Sequence, residues 1–141
     1  MRGSMTVMIV IALVVAFLVA CGNDDDQPTP TPTQEPAPSG VVVTFQVVDE
    51  EFRVRLTDPD DIAIARQLLA GEEAPSIPNG VVVRGETDVN TGYSWHIDPA
   101  TVEFADVTVE VCDGLPSDVE SGTITSDRYC PWAAQVIDIA E

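Results

Sequence analysis

Side chains able to act as nucleophiles, bases or metal ligands are few and scattered in this chain of 141 residues, which holds three cysteines and a single histidine. His96 stands two residues before Asp98. In an extended strand the two share a face, the arrangement of a general base with an orienting carboxylate. A hydrolase built on that pair would draw its nucleophile from Ser94, Ser117, Ser121 or Ser126, yet none of them sits in a Gly-x-Ser-x-Gly elbow. The simpler role for His96 is an ordinary hydrogen bond at a strand end. There is no phosphate-cradling glycine loop, no HExxH and no EF-hand. Asp58-Pro59-Asp60-Asp61 suits a helix start better than a calcium loop. Calcium held by carboxylates from separate loops, such as Asp88, Asp113 and Asp118, is a reading that the sequence does not rank. No cofactor is implied, no catalytic residue is assigned, and an enzyme is not expected.

Cys21 carries the clearest chemistry. It closes Leu18-Val19-Ala20-Cys21 behind an unbroken apolar run from Val7 to Ala20, itself preceded by Arg2. A positive start, an apolar core and small residues at the cut site are the parts of a secretory signal peptide. With a cysteine directly after the small residues, the tetrapeptide resembles the lipobox of bacterial lipoproteins. That resemblance implies removal of residues 1–20, acylation of the Cys21 thiol (palmitate being one such acyl group) and a mature N-terminus at Cys21. The apolar run has 14 residues, against roughly 20 for a helix that spans a bilayer. Simple secretion and a spanning anchor are the weaker alternatives. The expected location is the cell membrane or envelope, with a lipid-anchored domain facing outside the cytoplasm.

Charge narrows the partners. All 24 carboxylates lie beyond Cys21, where they face Arg53, Arg55, Arg66, Arg84 and Arg128, and lysine is absent. Nucleic acid is excluded as a partner, because binding it needs basic groups that displace phosphate counterions. Anionic headgroups are repelled too, so membrane attachment should rest on the acyl chains of Cys21. Residues 22–39, GNDDDQPTPTPTQEPAPS, contain no large apolar side chain and cannot build a core. Their Thr-Pro alternation favours extended polyproline II, about 3.1 Å per residue, so the segment 21–39 reads as an acylated cysteine followed by a tether about 50 Å long.

Residues 40–141 are expected to form one globular domain. Val41 to Val48 has the β-branched richness of a buried strand, and Asp49-Glu50-Glu51 should turn the chain. Phe52 to Thr57 alternates, which predicts Phe52, Val54 and Leu56 inside with Arg53 and Arg55 in water. A helix follows at about 58–70: Asp58 as cap, Pro59 at the first helical position, Asp60 and Asp61 at the positive end of the dipole. Ile62, Ala65, Leu68 and Leu69 should be its buried stripe, and Gly71 its left-handed stop. Glu72 to Asn79 reads as a loop. Strands are expected at 80–85, 93–97, 101–104, 107–111 and 133–139, with a short helix at 116–120. The fold class is α+β, a mostly antiparallel sheet or sandwich with one main helix.

Two cysteines remain once Cys21 is acylated. Outside the cytoplasm an even pair in a small domain most simply forms a disulfide, Cys112 to Cys130. A metal site is the rival reading, but the pair is not a CxxC and the histidine lies elsewhere. A catalytic thiol has still less support.

Four blocks together resemble a small secreted domain, the BP seventy-four N-terminal type, which also occurs in bacterial lipoproteins. They are Leu56-Thr57-Asp58-Pro59 with Ile62, Ala65-Arg66 and Gly71; Trp95 to Pro99; Glu110 to Glu120; and Cys130-Pro131-Trp132. The resemblance implies a single domain and the Cys112–Cys130 pairing, and it names no ligand. Asn90-Thr91-Gly92-Tyr93-Ser94-Trp95 is similar to the NPTTGY-x-W loop of chagasin-type inhibitors of cysteine proteases, although the proline and one threonine of that motif are missing and Val89 precedes Asn90. The candidate binding loop is therefore Asn90, Thr91, Gly92, Tyr93, Trp95 and His96. Tyr93 and Trp95 share one face of a strand, with Trp95 expected in the core and Tyr93 at the loop rim. The expected function is a lipid-anchored extracytoplasmic binding or interaction domain for an unidentified protein or small molecule. A chagasin-like inhibitor and a histidine-dependent hydrolase are the alternatives.

Overall fold

A computed structural model of the chain describes residues 40–85 and 87–141. The expected signal peptide, the acylation site Cys21 and the tether to residue 39 lie outside the described residues.

Two antiparallel sheets share one core. The first has the order β2-β1-β7, built from β1 (Val41–Val47), β2 (Glu50–Leu56) and β7 (Ala134–Ala140). The second is organised on β3 (Ile77–Arg84), which pairs in turn with β5 (Glu103–Ala105), β6 (Arg128–Tyr129) and β4 (Trp95–Ile97). The class is α+β, mostly antiparallel sheet, with one main helix and a Cys112–Cys130 disulfide.

Register in the first hairpin follows its apolar pattern. Val41 faces Leu56, Val43 faces Val54 and Phe45 faces Phe52, so every pair of inward residues coincides. That register leaves two residues, Val48 and Asp49, for the turn, one position earlier than the sequence suggested. Val48 bears the strain: a β-branched residue at φ 60° in a turn that favours Asn or Gly. At the centre Phe45, Phe52, Trp95 and Tyr129 pack ring against ring, with centroids 5.2–6.1 Å apart along the chain of contacts. Gly80 is needed beneath this layer, since a Cβ there would collide with the Ile97 side chain.

Helix α1 (Pro59–Leu69) starts on Asp58, whose carboxylate accepts from the Asp60 N–H, and stops before Gly71 at φ 78°. Ala65 is fully buried with Ile62 packed behind it, but Leu69 is 45% exposed. As the last helical residue it stands where the chain turns away into the following loop. Ile77, Pro78 and Asn79 belong to β3 rather than to that loop. A proline near a strand's start removes only one ladder donor, and it pairs here with short β5. Thr101 is not a strand residue: it ends a 3₁₀ turn, Pro99–Thr101, from which its hydroxyl accepts the Val81 N–H. The valines at 107, 109 and 111 do alternate, but toward solvent. They lie on a loop ending in a second 3₁₀ turn (Glu110–Cys112), held by the disulfide instead of by a strand partner. Helix α2 (Pro116–Ser121) is where the short helix was expected. Among the described residues no helix is long and apolar enough to cross a membrane.

Candidate functional site

Strand β2 is an edge of the first sheet and β4 lies at the side of the second, and Asn90 joins them. Its Oδ1 accepts the Arg53 N–H at 3.0 Å and its Nδ2 donates to the Trp95 carbonyl at 3.0 Å, all within a side chain 1% exposed. One amide thus satisfies a donor on one sheet and an acceptor on the other. The remainder of the loop is tied down as well. The Tyr93 hydroxyl donates to Glu50, and burial, then the Glu50 charge, raises its pKa above the ordinary tyrosine value. Ser94 donates to Glu120 through both its N–H and its hydroxyl, at 2.9 and 2.8 Å. Trp95 points inward and is fully buried, Tyr93 is half-buried, and Thr91 and Gly92 form the exposed tip.

Beside this loop the seam between the sheets opens into a cavity of about 200 Å³. Alternation in β2 sends Phe52, Val54 and Leu56 into the core, so Arg53 and Arg55 come out together on the cavity wall. His96, between the inward Trp95 and Ile97, forms another part of the wall, and Thr87 and Asp88 close the rim. Val89, Ile97 and Pro99 supply an apolar side. The Arg53 guanidinium donates to the Thr91 hydroxyl at 3.0 Å. Arg55 lies 3.8 Å from Asp88, an ion pair between a side chain 18% exposed and one 84% exposed. The His96 Nδ1 is withdrawn from solvent without a hydrogen-bond partner.

The groups that the alternative hydrolase reading would need together are engaged elsewhere. Asp98 uses its carboxylate on the Ala100 N–H, at 3.0 Å, to start the 3₁₀ turn, and makes no hydrogen bond to His96. Ser94 is engaged by Glu120, Ser117 by Glu50 and Ser121 by Thr123, while the Ser126 hydroxyl accepts the Arg128 N–H. None of these serines lines the cavity. The carboxylates considered for calcium are spread out and occupied: Asp88 at the cavity rim, Asp113 accepting the Trp132 N–H, Asp118 accepting the Leu115 N–H. Among the described residues no three potential ligands are grouped for a metal. Cys112 and Cys130 are bonded and buried, and Trp132 lies half-exposed beside them, its indole donating to Thr108.

The sequence pattern assigned Arg53 and Arg55 to a solvent face and missed them as site residues. Their signal was compositional: two of five arginines, two residues apart, in a lysine-free acidic domain.

No curated protein and no solved structure is significantly similar to the chain. The family model of the BP seventy-four N-terminal domain matches residues 39–141, nearly three quarters of the sequence, and the chain belongs to that family.

Proposed function

We propose that the protein is a lipid-anchored, extracytoplasmic binding domain, attached to the membrane through acyl chains on Cys21, which takes its ligand in the cavity between β2 and β4. The observation that carries the reading is the cavity itself: two arginines and the only histidine of the sequence converge on it beside apolar Val89, Ile97 and Pro99, and among the described lining residues Thr87 is the only hydroxyl. A few convergent polar groups in an apolar concavity are what a small-molecule site requires, whereas hydrolysis would need a nucleophile hydrogen-bonded to a base, and the Thr87 hydroxyl is engaged by Asp88 and the Val89 N–H instead of by His96. A protease-inhibitor role is less well served, since Asn90 and Trp95 are interior and only the Thr91–Gly92 tip is free to enter a cleft.

Anchoring is tested by metabolic labelling with a radioactive fatty acid: label on the wild type and none on Cys21→Ala is expected, and equal label refutes it. Binding is tested by following amide resonances of the full-length chain in detergent micelles against a mixture of small-molecule fragments. Shifts should gather at Thr87 to Val89 and at His96. Shifts confined to the Trp132 region would move the site away from the cavity.

A further inference from the structure

We infer that the cavity recognises a small monocarboxylate with an apolar body, a ligand class that rests on the cavity being the binding site. Arg55 carries the inference. Its side chain is mostly covered, yet its nitrogens are not among the described atoms sealed from solvent without a partner, so its donors open onto the cavity. Among the described residues its one polar contact is Asp88 at 3.8 Å, beyond hydrogen-bond range and made by a carboxylate that is almost wholly in water. Arg66 and Arg128, by contrast, hold Glu141 and Glu103 at 2.6 and 2.9 Å. Among the described residues the fork of Arg55 thus keeps its hydrogen-bonding capacity for the cavity, next to Arg53 on the same wall. A planar carboxylate matches such a fork in two parallel hydrogen bonds.

Two further observations select among anions. Val89, Ile97 and Pro99 form a wall that an inorganic ion would leave unused. The formal charge of −18 opposes a dianion more than a monoanion, which disfavours phosphate esters and dicarboxylates. Size sets the rest: a cavity of about 200 Å³ suits a small molecule such as a short branched carboxylate. Asp88 then acts as an internal competitor. The ligand carboxylate takes its place at Arg55, and the exposed Asp88 side chain turns to solvent.

Titration of the full-length chain in detergent micelles with 3-methylbutanoate, 3-methylbutanamide and inorganic phosphate tests this, read by the Nε–H resonances of Arg53 and Arg55 and the amide of Val89. The carboxylate should saturate and bind at least about tenfold more tightly than the amide, the difference expected of a charge-assisted pair. Phosphate should bind more weakly than the carboxylate. Asp88→Asn should tighten carboxylate binding by about threefold or more, since a like charge leaves the site. Arg55→Gln should lose it, with the Asp88→Asn result standing even where Arg55→Gln fails to fold. Equal binding of acid and amide overturns the inference while leaving the cavity as the ligand site. Phosphate binding as well as the acid also overturns it, since the site then reads charge alone. No shift with any probe, in wild type or in Asp88→Asn, removes both the inference and the cavity reading.

Discussion

Asn90 illustrates how much a single amide can do when it is buried between two sheet edges. Replacing it with alanine strands the Arg53 N–H and the Trp95 carbonyl together. At 1–3 kcal/mol for each unpaired group, Asn90→Ala should destabilise the domain by about 2–6 kcal/mol, as read by chemical denaturation; a loss within experimental error would mean the sheets do not depend on this bridge. Trp95 is the largest fully buried side chain, in contact with Phe52, Tyr93 and Tyr129. Its removal in Trp95→Ala should cost roughly 3–5 kcal/mol, and an unchanged melting midpoint would contradict the packing. The indole Nε1 is buried without a partner. Trp95→Phe should therefore be far milder than Trp95→Ala, because it loses volume but also removes an unsatisfied donor.

Between elements, a glutamate on α2 clasps the start of β4. The Ser94 N–H, then its hydroxyl, hold the Glu120 carboxyl below the ordinary glutamate range. A folded value below the unfolded one gives a contribution that is complete above the ordinary pKa of about 4.3 and is lost as pH falls through the depressed folded value. In an acid titration the Ser94 amide should accordingly move with a midpoint under that of the exposed carboxylates, and the movement should vanish in Glu120→Gln. A midpoint at or above the ordinary value would mean that the clasp is not formed. The disulfide works at the same scale. It links the second 3₁₀ turn to the segment after β6, where the Cys130 N–H also donates to the Cys112 carbonyl at 2.8 Å. Closing a loop of sequence separation 18 should be worth about 3 kcal/mol, so reduction should lower the melting temperature by about 10 °C or more. Native protein that titrates with two free thiols would refute the bond.

For the molecule as a whole, net charge is the dominant long-range quantity. Carboxylates far outnumber arginines, and their mutual repulsion opposes compaction. Neutral salt should raise the melting temperature, steeply at first and then to a plateau as the screening length falls from about 10 Å at 0.1 M to about 3 Å at 1 M. A melting temperature that falls with sodium chloride would show instead that ion pairs such as Arg66–Glu141 and Arg128–Glu103 outweigh the repulsion.

What the amino-acid order determined alone is what local physics decides. Alternation in residues 52–56 set the inward face of β2; Asp58, Pro59 and Gly71 marked the ends of α1; two cysteines in one small domain paired. Each depends on neighbours in the chain, on a backbone angle or on parity. The remainder required the tertiary structure, because it depends on which surfaces meet. Residues 107–111 have a strand's alternation, yet they join neither sheet and their valines face water. Asn90 was read as part of a candidate binding loop and is interior because an edge 37 residues away supplies an N–H. Arg53 and Arg55 were correctly read as leaving the core of their own sheet. That their outward face borders His96, more than 40 positions on, is fixed by the docking of β2 beside β4, and no periodicity within either strand encodes it.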